Sequence, residues 1–181
     1  IDTIRMLLAI SIEKQLIIHQ ADVNTAFLYG KLKELIMMKM PLGFKQYDSN
    51  GEELVCELDY AIYGLKQASC EWFNCFKEFM IEAGFKQIIS DECVFIQKNV
   101  QGDIVIITVY VDDILFWAKN EADSIELGIK NNAQGLLLEQ EDDATGLLGV
   151  SLTKNDAGLI EMKQTDLIDC VIKTLGLDTC M

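Results

Sequence analysis

The sequence predicts an α+β domain, an antiparallel sheet with helices packed on one face. Three observations predict it. Short apolar runs alternate with hairpin turns and not with strict strand–helix–strand repeats, a pattern that favours antiparallel pairing. Residues 67–83 carry Trp72, Phe76, Phe79, Met80 and Ala83 at three- and four-residue steps, the period of a helix with one buried face. The longest apolar run, Ile104 to Trp117, is interrupted by Tyr110-Val111-Asp112-Asp113, which reads as strand, acidic turn, strand.

The elements follow in order. Ile4 to Glu13 is expected to be helical, with Met6, Leu7 and Ile10 on one side. Leu16 to Val23 reads as a strand running into Asp22, and Glu34 to Met40 as a second short strand. Tyr47-Asp-Ser-Asn-Gly51 is a turn, because Asn-Gly accepts positive φ, and Leu54 to Leu58 follows it as a strand. The helix of 67–83 stops at Gly84. Cys93 to Lys98 and Ile104 to Val111 are strands joined at Gln101-Gly102. Glu121 to Ala133 is expected to be helical. Leu147 to Thr153 and Leu159 to Lys163 form a hairpin, and Thr165 to Leu175 is a last helix stopped by Gly176.

Composition narrows the function. At 181 residues, half of them apolar, the chain can build one domain with a real core. Acids break every apolar run before 18 residues, so no membrane span is expected. The first residues show no signal-peptide pattern, and the missing initiator Met suggests a piece of a longer protein. Six cysteines without a CxxC pair read as reduced, mostly buried thiols of a cytoplasmic protein. A single histidine, His19, argues against a zinc site and against a His-based relay. The net charge of −14, with one arginine, weighs against a nucleic-acid partner, which normally meets a basic face.

The acids carry the chemistry. Two adjacent carboxylates between buried strands repel each other and resist desolvation, and a bound cation is the usual compensation. A solvated acidic turn is the plain alternative. Asp22 ends an apolar strand of its own. Beside the Asp112 hairpin it would bring three carboxylates to one sheet face. Hard oxygen ligands of this kind suit magnesium, and two such ions about 3.5–4 Å apart can clamp an in-line phosphoryl transfer.

Asp22-Val-Asn-Thr-Ala-Phe-Leu28, Tyr63-Gly-Leu-Lys-Gln-Ala68 and Tyr110-Val-Asp-Asp113 occur in that order. Together they resemble the successive palm motifs of the reverse transcriptase of copia-type LTR retrotransposons. Glu71-Trp-Phe73, Gly84-Phe85 through Asp91-Glu-Cys-Val-Phe95, and Leu147-Leu-Gly-Val150 resemble the same family, so the likeness spans nearly the whole chain. It implies a polymerase-type palm, with residues 1–181 as a partial reverse transcriptase domain holding the palm, parts of the fingers and the primer-grip region. Basic fingers would lie upstream, and thumb, connection and RNase H regions downstream.

By the same resemblance Asp22, Asp112 and Asp113 are the catalytic acids and metal ligands, with Asp113 supporting the other two. Val23 lies where the family's backbone approaches the triphosphate. Phe27 matches the aromatic gate that rejects a 2′-hydroxyl, and Gln67 the glutamine at the incoming nucleotide. Tyr110 and Val111 border the primer terminus, while Lys66, Leu148 and Gly149 contact nucleic acid. The implied cofactor is Mg2+, with Mn2+ as a substitute. The implied partners are an RNA or DNA template with its primer, dNTPs, and other parts of a Gag-Pol-like polyprotein, in the cytoplasm or in virus-like particles.

The chain departs from the family at Ser69-Cys70, where proline and arginine are usual, and in the acidic stretch Glu139 to Asp143. Losing the arginine removes a cation suited to phosphate. These departures favour the alternative reading, an inactive remnant or a domesticated nucleic-acid- or protein-binding module. A nucleotidyl cyclase-like palm shares the acidic hairpin but does not account for Phe27 or for Tyr63 to Gln67.

Overall fold

A computed structural model of the chain describes residues 2–120, 138–141, 150–154 and 160–177. The chain divides into two compact units, residues 1–24 with 83–181, and residues 25–82.

The first unit is built on a six-stranded sheet in the order β4-β5-β6-β7-β1-β8. Its strands are β1 (Ile17–Val23), β4 (Lys86–Gln87), β5 (Val94–Lys98), β6 (Ile104–Tyr110), β7 (Asp113–Ala118) and β8 (Leu138–Glu141). Every neighbouring pair is antiparallel, as the hairpin pattern predicts. Central position explains the unbroken apolar sequence of β7. Flanked by β6 and β1, it buries Ile114, Leu115, Phe116, Trp117 and Ala118 on both faces.

Helix α1 (Asp2–Lys14) covers one of those faces, with Leu7 and Leu8 packed in a core cluster with Leu115 and Trp117. Each such fully buried aliphatic side chain contributes roughly 1.5–3 kcal/mol. The Trp117 indole N–H donates to Thr108 Oγ1 at 3.4 Å, which keeps its polar edge satisfied inside the core. The helix closes with Gln15 at φ 53. There the Leu16 amide donates to the Ser11 carbonyl at 2.8 Å and the Gln15 amide to the Ile12 carbonyl at 3.4 Å, a Schellman closure without glycine.

Three further elements complete this unit among the described residues. Strands β9 (Ser151–Lys154) and β10 (Ile160–Lys163) pair antiparallel, as the expected hairpin requires. Helix α3 (Thr165–Thr174) ends at Gly176 (φ 66), where the Leu177 amide reaches the Ile172 carbonyl at 3.0 Å. The expected helix of Glu121 to Ala133 lies outside the described residues.

The second unit holds a 3-10 turn (Ala26–Tyr29), the antiparallel pair β2 (Met37–Lys39) and β3 (Val55–Glu57), and helix α2 (Ala68–Glu82). The apolar stripe of α2 is buried at Trp72, Phe76 and Met80, as its periodicity predicts. Gly30 lets the 3-10 turn lie against this helix. A Cβ at Gly30 would fall 2.8 Å from the Trp72 nitrogen and 2.9 Å from the Glu71 carbonyl carbon. The Tyr29 ring sits 5.9 Å from Trp72, centroid to centroid. Between β2 and β3 the Asp48 carboxylate accepts from the amides of Asn50 and Glu52, both at 2.8 Å, so the expected turn is held by its own aspartate.

One expectation is corrected. The cysteines are not mostly buried: Cys70, Cys93 and Cys170 are exposed, and Cys56 and Cys75 are half-buried. Cys70 lies on an outward position of α2, whose apolar stripe fills the core, and Cys93 lies in the turn just before β5, so thiol hydrophobicity alone does not place them.

Candidate active site

β1 and β7 bring the acids together. Asp22 is the register partner of Asp113, and Asp113 in turn pairs with Tyr110 across the hairpin. Residues opposite one another in an antiparallel ladder share a sheet face with Cβ atoms about 4.5–5.5 Å apart. Asp112 lies one residue away in the turn, and its carbonyl accepts the Val23 amide at 3.1 Å. That bond carries the ladder one step past the Asp22–Asp113 pair and ties the acidic turn to β1. All three acids are half-buried and belong to the first unit. On its other side Asp22 is in backbone register with Glu139 of β8.

The turn itself is strained. Val111 has φ 59, an unfavourable conformation for a β-branched residue, costing about 1–3 kcal/mol. The ladder bonds on either side hold it there. As a result Tyr110 and Val111, 49% and 43% exposed, are presented to solvent at the hairpin tip.

Sequence reasoning missed Gln20. It lies two residues before Asp22 on the same face of β1, is 4% exposed, and its Nε2 donates to Asp113 Oδ1 at 3.3 Å. Its Oε1 is buried with no partner among the described residues, as is Nε2 of His19. The available signal was a polar residue at an inward strand position beside an acid. The amide gives Asp113 a donor without cancelling its charge.

Val23 is buried at 1% exposure, so it is a joint between the strand and the turn. Phe27, Lys66 and Gln67 belong to the second unit. Phe27 is half-buried on the 3-10 turn, and its ring lies 4.6 Å from that of Tyr63, tilted by 51°. Gln67 occupies the N-cap position of α2, with its carbonyl accepting the Glu71 amide at 3.0 Å, and Lys66 is exposed. Leu148 and Gly149 lie outside the described residues.

No group of three or more His, Cys, Asp or Glu side chains forms a ready metal cage among the described residues. The donor set nonetheless fits a hard divalent cation. Magnesium takes one or two carboxylates and draws its remaining ligands from water and substrate phosphates, and a register-paired Asp22 and Asp113 with Asp112 beside them offers such carboxylates.

The sequence model of the family described as reverse transcriptase (RNA-dependent DNA polymerase) matches residues 1–181. The chain belongs to the reverse transcriptase family. Its relatives include the Retrovirus-related Pol polyprotein from transposon TNT 1-94 of Nicotiana tabacum, 36% identical over 119 residues, which are 66% of this chain and 9% of that protein. The Retrovirus-related Pol polyproteins from transposons RE1 and RE2 of Arabidopsis thaliana are 30% and 31% identical over 172 residues, 95% of this chain and 12% of each. The chain thus spans about a tenth of the length of these relatives. The copia-type resemblance and the α+β architecture with an antiparallel sheet are borne out. No helix among the described residues is long and apolar enough to cross a membrane.

Proposed function

We propose that this chain forms the catalytic palm of an RNA-directed DNA polymerase, which extends a primer by joining its 3′-hydroxyl to the α-phosphate of a dNTP and releasing pyrophosphate. The observation that supports this most is the meeting of Asp22 with Asp113, and of the Val23 amide with the Asp112 carbonyl, at one end of the sheet. Asp22 and Asp112 would hold Mg2+, or Mn2+ in its place, with Asp113 in support. Bound there, the metal would favour the alkoxide form of the primer hydroxyl and offset charge on the transferring phosphate.

The chain's own contribution is placement. The Val23–Asp112 bond and the Gln20 amide hold the carboxylates in register before substrate arrives, so little reorganisation is needed at the moment of reaction. Tyr110 and Val111, exposed at the hairpin tip, border the primer end. By its place in the motif, five residues beyond Asp22, Phe27 takes the sugar-gate role. Gln67 and Lys66 take the nucleotide and nucleic-acid contacts on the same ground, and Leu148 and Gly149 the primer grip. The partners are a primed RNA or DNA template, dNTPs and other parts of a Pol polyprotein, in the cytoplasm or in virus-like particles.

Primer extension on an RNA template tests this reading, with wild type compared against Asp112→Ala in magnesium and in manganese. Extension by wild type and a loss of at least about 100-fold in the variant are expected, the scale on which removal of a key electrostatic group acts. Equal extension by both proteins, or none by either, would refute it.

A further inference from the structure

We propose that Tyr63 sets the discrimination between deoxy- and ribonucleotides by backing the Phe27 ring; the inference rests on the sugar-gate role proposed above. An aromatic gate rejects a 2′-hydroxyl only if the ring cannot yield. Phe27 is not fixed by full burial. It sits on a four-residue 3-10 turn, entered through Thr25 at φ 56, and is only half-buried. A full core would lock its rotamer, but a half-buried ring needs a specific neighbour to do so.

Tyr63 is that neighbour. Its ring centroid lies 4.6 Å from that of Phe27 at an interplanar angle of 51°, within the range in which tilted aromatic pairs attract. The backing is itself anchored within the same unit. The Ala61 amide donates to the Gly30 carbonyl at 2.8 Å, tying the segment before Tyr63 to the end of the 3-10 turn, and Ala61 is fully buried. Gly30 lies against the α2 backbone. After Tyr63 the chain reverses through Gly64 at φ 98, with the Leu65 amide on the Ile62 carbonyl at 3.3 Å. Tyr63 is nevertheless 57% exposed. A large ring more than half in solvent adds little to the core, and the tilted contact with Phe27 is what its position serves. The contact is made by the ring, so the phenol hydroxyl is dispensable.

The test compares wild type, Tyr63→Ala, Tyr63→Phe and Phe27→Ala. Selectivity is read as the ratio of kcat/KM for dATP over ATP in primer extension with Mn2+, and as the ratio of their dissociation constants by calorimetry. Tyr63→Ala is expected to lower selectivity by roughly three- to tenfold, the scale of one aromatic pair, while Tyr63→Phe keeps it within about twofold. Loss of selectivity in Phe27→Ala with full selectivity in Tyr63→Ala would overturn the role of Tyr63 and leave the gate standing. Equal loss in Tyr63→Phe and Tyr63→Ala would overturn the ring-backing account. A wild type that shows no preference in either measurement, or Phe27→Ala that retains it, would overturn the gate reading and this inference with it.

Discussion

Two carboxylates facing each other across a strand pair should make this protein less stable than it need be. Asp22 and Asp113 are register partners, so their Cβ atoms lie about 5 Å apart by ladder geometry, which sets the scale of the charge separation. At that separation the repulsion is about 0.8 kcal/mol in a water-like dielectric and about 3 kcal/mol at an effective dielectric of 20. Both residues are half-buried, which places the net effect between those limits. Gln20 offsets part of it by donating to Asp113 Oδ1 at 3.3 Å. Asp22→Asn keeps the shape and an acceptor oxygen while removing one charge. We expect it to stabilise the metal-free protein by about 1–2 kcal/mol, raising Tm by about 2–8 °C for a domain of this size. The gain should shrink in 1 M NaCl, where the screening length is about 3 Å. Magnesium should act in the opposite sense: at ten times its Kd it would stabilise wild type by about 1.4 kcal/mol and leave Asp22→Asn unmoved. Scanning calorimetry of both proteins, with and without MgCl2, measures all of these. A variant destabilised by 1 kcal/mol or more, or one that responds to magnesium as wild type does, would refute the reasoning.

Three further predictions rest on single contacts. Gln20→Leu loses the donor to Asp113 but also the buried Oε1 that lacks a partner among the described residues; its stability should stay within about 1 kcal/mol of wild type while Mn2+ binding, read by electron paramagnetic resonance, weakens. Gly30→Ala puts a Cβ within 3.0 Å of α2 backbone atoms, which cannot swing aside as a side chain can, and should cost about 2–4 kcal/mol in urea unfolding. The amides of Glu52 and Asn50 hold the Asp48 carboxyl below its ordinary value of 3.8. A depressed acid contributes stability that is present above 3.8 and lost as pH falls through the lower folded value. Hydrogen exchange at the Glu52 amide should therefore quicken, beyond its intrinsic pH dependence, only below pH 3.8, and Asp48→Asn should remove that acid limb.

The elements that carry the site were legible because hydrophobic periodicity and turn chemistry agreed. Ile104 to Tyr110 and Asp113 to Ala118 are central strands, the second buried on both faces and the first along Val105, Ile107 and Val109, so their sequences are almost wholly apolar and the two acids where they meet stand out. The helix at Ala68–Glu82 announced itself through Trp72, Phe76 and Met80, all now buried. Strands β4 and β8 were not legible. Lys86–Gln87 is a two-residue edge that exists through pairing with Ile96 and Phe95, and Leu138–Glu141 is largely polar and exists through pairing with β1. A strand defined by its neighbour leaves no period in its own sequence.

The same limit explains what the acids alone could not say. Asp112 and Asp113 are adjacent in sequence, yet it is Asp113 that lies opposite Asp22, while Asp112 meets β1 through its backbone. That division depends on where the turn falls. A turn displaced by one residue would exchange the faces of both acids. Val111 pins it: with φ 59 it occupies a turn position that glycine or asparagine would fill more readily, and the Tyr110–Asp113 pair closes immediately around it. A strained valine at the tip of an acidic hairpin is therefore an argument about register. The strain is tolerated because the alternative placement would turn Asp113 away from Asp22 and from the amide of Gln20, and would break the set of contacts through which the three carboxylates are held together.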